Sequence, residues 1–366
     1  MVGLLEIWRR KGQFALIALI VTLISYLVLM INGLGVGLNR QAGSALLNFD
    51  ADAIAYSDKA GLSVIRSELS EDTISEVLSQ PDVSNAAALG YLAANYEQED
   101  GDIESVALMG FDPGAIAEPP VTRGSPLAAD SGDALLADKL FLKYSGLEIG
   151  DTVTVNLRLS TRELRILGEV DEGAFFFQPT AFVLRSTWQE LKYGEIPDPP
   201  AASIMLLKGD GLPGREYPGV ELVSKAEAFA NIEGVQGQQS TVTSLRLFGY
   251  VIGALVIAAF FYVLTLQKVG QIGVLKAIGA SSFYIFRQIL TQVVVVSLVG
   301  LLISVPLAYA TERILTSVPD PVPLAFTTQT FVVTAAALLA TAVAGSLLSG
   351  RQVLRTDAII ALGQQQ

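Results

Sequence analysis

The sequence predicts an integral membrane protein of the α+β class: four transmembrane helices, with a large extracytoplasmic α/β domain inserted between the first and the second. Three observations predict this fold class. Of the 366 residues, 51% are hydrophobic and only 16% are charged, which is too apolar for an ordinary soluble protein. Four long uncharged runs account for the excess. Basic residues flank those runs, whereas acidic residues dominate the long interval after the first run.

The uncharged runs are residues 12–39, 247–267, 288–311 and 321–350. They predict membrane spans at residues 13–38, 244–267, 283–311 and 326–350. Each reaches the roughly 20 residues that a helix needs to cross about 30 Å of hydrocarbon. The first run is longer than the apolar core of a secretory signal, which has about 7–15 residues, and no clear A-x-A cleavage pattern follows it. We therefore expect it to be retained as a transmembrane helix.

Charge placement predicts the orientation of the chain. The segments expected on one side carry only two acidic residues but eight basic ones, Arg9, Arg10, Lys11, Lys268, Lys276, Arg287, Arg351 and Arg355. Residues 37–243 instead hold 14 Lys and Arg against 32 Asp and Glu. Because Lys and Arg in short loops favour the cytoplasmic side, we expect a multi-pass protein of the cytoplasmic (inner) membrane with both termini in the cytoplasm.

This orientation assigns the remaining segments. Residues 39–243 form the extracytoplasmic domain, residues 268–282 a cytoplasmic helix, and residues 312–325 an outer loop. Residues 1–12 combine a tryptophan with three basic residues, which suits an interfacial helix lying on the lipid surface. Residues 351–366 form a cytoplasmic tail.

Patterns inside the extracytoplasmic domain predict both helices and strands. A capping serine followed by acidic residues and an apolar stripe predicts a helix over 70–78. Alternating residues over 150–157 and 163–170 predict a pair of strands. The other expected elements are strands at 83–89, 105–111 and 202–207, a helix at 132–144, a loop at 195–200, and a segment at 225–239 that begins as a helix and leads into the second span.

The chain lacks the residues on which several kinds of chemistry depend. It contains no histidine and no cysteine, which removes the Ser-His triad, thiolate metal sites and the commonest metal ligand. It has no G-x-x-x-x-G-K-[ST] phosphate loop and no G-x-S-x-G elbow. The acidic extracytoplasmic domain argues against a nucleic-acid partner. We expect a protein that is not itself an enzyme and that has no metal site and no cofactor of its own.

Residues 267–281, QKVGQIGVLKAIGAS, form a short basic stretch between the second and third spans. They resemble the loop E-I-G-x-L-x-A-[IL]-G-A of FtsX-like (MacB-type) ABC transporter permeases, with Gln271 for the usual Glu and Lys276 for the usual Arg. Two other stretches are similar to that family. Residues 138–155, DKLFLKYSGLEIGDTVTV, resemble its A-x-x-L-G-L-x-x-G-D-x-V-x-[IV] pattern, and residues 351–363, RQVLRTDAIIALG, resemble its closing R-x-x-x-x-D-P-x-x-A-L-R.

The resemblance implies that a separate ATP-binding subunit, which holds ATP and Mg²⁺, docks on the 268–282 helix. It also implies a homodimer of this chain in the lipid bilayer. ATP-driven closure would push the docking helix and move the extracytoplasmic domain through a continuous 225–267 segment, a mechanism called mechanotransmission. The residues implied in docking are Lys268, Gly270, Gly273, Val274, Leu275, Lys276, Ile278 and Gly279. The alternative interpretation is a plain amphipathic loop between two spans.

The first span resembles that of haem-exporting (HrtB-like) and heterocyst-type (DevC-like) permeases, in its FALIALI and YLVLMINGLGVGL stretches. This resemblance implies export of an amphipathic molecule, with haem favoured, from the outer leaflet. Without histidine, haem would have to use Met, Tyr or carboxylate ligands, and the candidates are Tyr26, Met30 and Glu233. Tyr26 and Met30 are four residues apart, so they share a helix face. Ordinary packing residues and a solvated charge are the alternative for these three.

Two glycine pairs at helix-packing spacing, Gly33 with Gly37 and Gly249 with Gly253, are expected to let helices approach closely in lipid. Two other functions remain open. One is an FtsX-like signal transducer that activates an extracytoplasmic enzyme and moves no cargo. The other is a membrane-anchored sensor that needs no ATPase.

Overall fold

The computed structural model describes residues 11–98, 101–157, 161–267, 269–318 and 322–355. Three predictions lie wholly or largely outside these residues: the interfacial helix, the docking residue Lys268, and most of the cytoplasmic tail. The chain divides into two compact units. One comprises Met1–Gly37 with Gln239–Gln366, and is called here the helical unit; the other, Leu38–Gln238, is called the sheet unit.

Nine helices and twelve strands occur in the described residues. The helices are α1 (Lys11–Asn48), α2 (Glu71–Leu78), α3 (Lys139–Ser145), α4 (Arg185–Tyr193), α5 (Lys225–Ala230), α6 (Val235–Gln267), α7 (Val269–Ala277), α8 (Ser282–Leu315) and α9 (Thr328–Arg355). The strands are β1 (Ala53–Ser57), β2 (Asn85–Glu97), β3 (Ile103–Phe111), β4 (Val121–Gly124), β5 (Ala134–Asp138), β6 (Thr152–Asn156), β7 (Thr161–Val170), β8 (Ala174–Phe175), β9 (Gln178–Leu184), β10 (Ile204–Lys208), β11 (Glu216–Tyr217) and β12 (Val220–Ser224).

Four of the helices are long and apolar enough to cross a membrane. They are Lys11–Asn48, Val235–Gln267, Ser282–Leu315 and the Thr328–Ser346 part of α9, with mean hydropathies of 2.8, 2.4, 2.4 and 1.5. All twelve strands lie between the first and second of these helices. The predicted fold class, four apolar helices with an α/β region inserted after the first, is confirmed.

The sheet unit contains a twelve-stranded sheet of largely antiparallel strands, in the order β11-β12-β1-β10-β2-β3-β9-β5-β7-β4. Strand β6 pairs with β2 and β7, and β8 pairs with β9. Two pairs, β3 with β9 and β5 with β7, are parallel. Alternate residues of the central strands enter opposite cores: Met109 and Phe182 lie in one, Leu108 and Val183 in the other. The middle of the sheet is therefore buried on both faces.

Burial on both faces explains a wrong prediction. Residues 132–144 were expected to be a helix, but they form strand β5 followed by helix α3. All five residues of β5 are buried, so the strand is a continuous apolar run without alternation. The sequence pattern alone does not distinguish such a run from a buried helix. The strand ends where Asp138 caps α3, by accepting a hydrogen bond from the backbone N–H of Leu140 at 2.7 Å.

The segment at 225–267, predicted to be continuous, is also interrupted. Helix α5 ends at Ala230 with Asn231 as its C-cap, and α6 starts at Val235. Between them Gly234 has a φ of +87°, a left-handed conformation that favours glycine. The turn divides the segment into a short helix and a long one.

Other local predictions are confirmed. Ser70 caps α2 by accepting a hydrogen bond from the backbone N–H of Thr73 at 3.2 Å, and Ile74 and Val77 of its apolar stripe are buried. Strands β6 and β7 form the expected antiparallel pair. In both places a local signal, a cap or a strict alternation, agrees with the tertiary environment.

Candidate functional site

Helix α7 and the start of α8 form a helical hairpin with a defined bend. Gly279 has a φ of +96°. Its N–H donates to the Lys276 carbonyl at 3.0 Å, and the Ala280 N–H donates to the Leu275 carbonyl at 2.9 Å. These two bonds form a Schellman motif, which ends a helix at a left-handed residue. The structure thus gives Gly279 a backbone role at the end of α7.

The next helix begins within two residues of that glycine. Ser281 is the N-cap of α8, and its hydroxyl accepts a hydrogen bond from the backbone N–H of Tyr284 at 3.2 Å. A helix end and a helix start are thus fixed by adjacent motifs. The Gly-Ala-Ser sequence after Ile278 specifies a bend of fixed geometry.

The hairpin has a buried side and an exposed side. Ile272 of α7 is buried in a cluster with Phe261 and Leu264 of α6 and with Ile285 and Ile289 of α8. Packing of this kind holds α7 against the two membrane-spanning helices that flank it.

Five large apolar side chains of the hairpin are exposed. We call them the hairpin surface, and they are Val274, Leu275, Ile278, Phe283 and Tyr284. Ile278 is 75% exposed and Phe283 is 73% exposed. The sequence singled out the first three residues but missed the two aromatic ones, because Phe283 and Tyr284 begin an apolar run that was assigned to the third span.

The other predicted docking residues lie around this surface. Gly270 and Lys276 are half-buried, Gly273 is buried, and Gly279 is exposed at the bend. Lys268 lies outside the described residues. The structure therefore brings the predicted apolar residues to one exposed hairpin, with Gly273 on the buried side.

The candidate cargo residues occur in both units. In the helical unit, Tyr26 and Met30 of α1 are half-buried, and the Tyr26 hydroxyl lies 3.0 Å from Thr311 Oγ1 of α8. In the sheet unit, Glu233 is exposed in the turn before α6 and accepts a hydrogen bond from the Ser63 hydroxyl. A shared site for the three residues stays a prediction.

Glu233 influences two buried tyrosines of the sheet unit. Burial raises the pKa of Tyr56 and of Tyr91, and the negative charge of Glu233 raises both pKa values further. Both phenols are therefore neutral over the physiological pH range. The Tyr56 hydroxyl is buried without a hydrogen-bond partner among the described residues.

The four predicted packing glycines contact other helices or loops of the helical unit. A Cβ added at Gly249 would lie 3.1 Å from Val28 Cγ2, and one added at Gly253 would lie 3.0 Å from Ile24 Cγ2. Both of these contacts join α6 to α1. Gly33 faces the ring of Phe326, and Gly37 faces the carbonyl of Pro323.

The part of the chain that the structure describes contains no group of three or more His, Cys, Asp or Glu side chains that could hold a metal ion.

The helices that form the hairpin lie in a part of the chain that matches a known family. Residues 244–358 match the family described as FtsX-like permease C-terminal. Over these residues the chain is similar to FtsX-like permeases. This match covers α7, α8, α9 and most of α6.

Relatives extend the likeness beyond that domain. A putative hemin transport system permease protein HrtB of Staphylococcus haemolyticus is 26% identical over 98% of this chain and 97% of its own length. An uncharacterized ABC transporter permease of Mycobacterium bovis is 24% identical over 80% of each chain. The periplasmic region of MacB from Actinobacillus actinomycetemcomitans aligns with 51% of this chain and 94% of its own length at 13% identity, with a TM-score of 0.36 that is too low to support an argument.

The chain is thus similar to ABC transporter permeases over most of its length, and its four long apolar helices are candidate membrane spans.

Proposed function

We propose that this permease exports an amphipathic molecule, with haem favoured, from the outer leaflet of the cytoplasmic membrane. A separate ATPase would supply the energy, and two copies of the chain would form the transporter with two copies of the ATPase. Both termini and the hairpin would face the cytoplasm, and the sheet unit would be extracytoplasmic. The observation that carries the proposal is the hairpin surface, an exposed apolar surface on a rigid bend between two spans.

The hairpin surface suits a protein partner because removal of apolar area from water favours association. Ile278 and Phe283 are the most exposed of its five residues and lie on either side of the Gly279 bend. Because the bend is fixed by backbone hydrogen bonds, docking there costs little conformational entropy. A push on the hairpin would move α6 and α8 through the packing of Ile272.

Helix α6 offers a route for that movement. It is a single helix of 33 residues, about 50 Å long at about 1.5 Å per residue. It ends next to α7, and it begins at Val235, directly after the Gly234 turn. A stiff helix with a turn at one end can convert a displacement of the hairpin into a change of angle at that turn.

The C-terminal end of α1 lies in the sheet unit and contains a break in its helical backbone. Gly43 has a non-helical backbone inside α1, and the β8–β9 turn binds there: the N–H groups of Phe176 and Phe177 donate to the carbonyls of Ala42 and Gln41 at 3.0 and 2.8 Å. Both phenylalanines have positive φ, 51° and 62°, which is unfavourable for such side chains. This turn would transfer movement of α1 to the sheet.

The cargo assignment is supported by the hemin permease relative and by the residues available. In a chain with no histidine, Met30, Tyr26 and Glu233 are the ligands that we propose for haem. No cofactor of the protein itself is implied, because haem would be the transported molecule.

Docking is tested by co-purification of the full-length protein with its ATPase. We expect Ile278→Asp to reduce recovery of the ATPase at least about tenfold, because a buried unpaired carboxylate opposes association. Ile103→Asp is the matched control, since Ile103 is 68% exposed in the sheet unit and should leave recovery unchanged. Equal recovery with both variants would refute docking on the hairpin surface.

Cargo is tested by spectral titration of the purified protein with haemin. A saturable Soret shift that Met30→Ala or Glu233→Ala weakens is the expected result, and absence of any saturable shift would count against haem. Stimulation of the ATPase by haemin would distinguish an exporter from a signal transducer, which should respond to an extracytoplasmic protein instead.

A further inference from the structure

Arg246 is a charged residue within one of the four apolar helices. It lies in α6, and its sequence neighbours Leu245, Leu247 and Phe248 are exposed apolar side chains. A charge on a membrane-spanning helix is costly unless it pairs with an opposite charge or reaches the aqueous interface. The surroundings of this guanidinium therefore indicate what it binds.

Arg246 has no partner among the residues that the structure describes. Its guanidinium makes no hydrogen bond or ion pair with any of them, and its Nε is buried without an acceptor. The side chain as a whole is half-buried, so the rest of the guanidinium can still be reached from outside the helical unit.

The guanidinium of Arg246 lies where Gly35, which has no side chain, leaves a gap in the surface of α1. A Cβ added at Gly35 would lie 2.6 Å from Arg246 Nη2 and 2.7 Å from Val242 Cγ1. Any side chain larger than hydrogen at Gly35 would displace the arginine. The gap holds the guanidinium between α1 and α6.

Uncharged polar groups lie nearby on the same two helices. Tyr250 is one turn from Arg246 on α6, and Asn32 is three residues from Gly35 on α1, so each lies on the same helix face as its neighbour. The Asn32 amide donates to Thr334 Oγ1 at 2.8 Å and lies 3.5 Å from the Tyr250 hydroxyl. Arg246 and the polar side chains of Tyr250 and Asn32 are thus placed among apolar helix surfaces.

We infer that Arg246 binds the anionic head group of an amphiphile whose apolar body lies against α1 and α6. A planar guanidinium fits carboxylate or phosphate oxygens with two parallel hydrogen bonds, and the exposed apolar neighbours suit the body of the ligand. The inference rests on the proposed export function for the identity of the ligand. It adds an anion-recognising residue to the cargo site.

The experiment uses the full-length protein in nanodiscs of phosphatidylcholine and compares haemin with haemin dimethyl ester, which lacks the free carboxylates. Arg246→Gln should weaken haemin binding at least about tenfold, the value of a charge-assisted pair, and leave binding of the ester unchanged. Arg246→Lys should recover part of the loss. Arg313→Gln, which removes an exposed arginine at the end of α8, should bind both compounds as the parent does.

A second measurement separates failure of this site from failure of the haem assignment. If no variant binds haemin, the haem cargo is wrong, and native mass spectrometry then tests for bound phosphatidylglycerol. Loss of phosphatidylglycerol in Arg246→Gln but not in Arg313→Gln would keep the anionic-amphiphile site and assign its head group to a phospholipid. Binding of haemin or phosphatidylglycerol that is equal in the Arg246→Gln and Arg313→Gln variants would overturn the inference.

Discussion

The sheet unit and the helical unit are packed differently. Most of the largest fully buried side chains are aromatic residues of the sheet unit, among them Trp188, Phe111 and Phe182. In the helical unit, small residues bring the helices together: Gly300 of α8 packs on α1, and Gly345 of α9 packs on the backbone of α6. Water drives burial of large apolar groups, whereas lipid is itself apolar and leaves close contact and hydrogen bonds to hold helices together.

If this comparison is right, the largest effect should come from an aromatic residue of the sheet unit. Trp188 is fully buried, and its indole lies against Gly90 and Gly110 of neighbouring strands. Trp188→Ala should cost about 3–5 kcal/mol of unfolding free energy, because it leaves a cavity. Chemical denaturation, monitored by limited proteolysis of the sheet unit, measures this loss of unfolding free energy. The exposed Leu78→Ala is the control, and an equal effect of the two would contradict the packing described.

A larger side chain in place of a packed glycine should, by contrast, destabilise the helical unit most. A Cβ at Gly300 would lie 2.7 Å from Val21 Cγ1 and 3.1 Å from the backbone nitrogen of Thr22. We expect Gly300→Val to lower stability by about 1–3 kcal/mol, since overpacking forces the helices apart. Gly12 has open space around it. Gly12→Val should therefore lower the thermal midpoint of the purified protein less than Gly300→Val does. A larger effect at Gly12 would show that α1 and α8 are not in contact as described.

The sheet unit should also respond to pH. Burial raises the pKa of Asp138 to about 6, although the N–H groups of Gly173, Leu140 and Glu172 bind its carboxylate and oppose the shift. Burial, followed by the charges of Asp138 and Asp171, also raises the pKa of Glu172. A folded-state pKa above the unfolded value gives stability that is present at low pH and lost as the pH rises through about 6.

Acidification from pH 7.5 to 5 should therefore add about 1 kcal/mol to the unfolding free energy of the sheet unit. The fluorescence emission of the buried Trp188, measured in a Trp8→Phe background, reports the unfolding of the sheet unit. Asp138→Asn should flatten the pH slope, while the exposed Glu148→Gln should not. A slope that is unchanged in Asp138→Asn would assign the pH response to other groups.

The smallest effect should come from a hydrogen bond between helices. The Asn32 amide donates to Thr334 Oγ1, and such bonds contribute about 0.6 kcal/mol on average in membrane proteins. A double-mutant cycle of Asn32→Leu and Thr334→Val should give a coupling energy of about that size. A coupling near zero would show that this pair contributes nothing to holding α1 against α9.

The two units also differed in how far the sequence could predict them. Long uncharged runs predicted the four spans, since a membrane requires length and apolarity, which are local properties. The strand β5 was mistaken for part of a helix because burial on both faces removes alternation. The turn at Gly234 depends on a backbone conformation that apolar periodicity does not record.

The candidate site shows the same limit. Residues 267–281 located the hairpin, and Ile278 was among the residues implied in docking. Gly279 was assigned a contact role, but the structure gives it a backbone role, since its left-handed conformation ends α7. Arg246 was not singled out from the sequence, because its position at Gly35 is a tertiary feature.

The most direct test of the account is the accessibility of the hairpin surface. The chain has no cysteine, so Ile278→Cys provides a single thiol for a membrane-impermeant maleimide. We predict labelling in inside-out vesicles but not in intact cells, and protection from labelling when the ATPase subunit is bound. Labelling of intact cells, or labelling that a saturating amount of the ATPase does not reduce, would contradict the claim that this hairpin is the cytoplasmic docking surface.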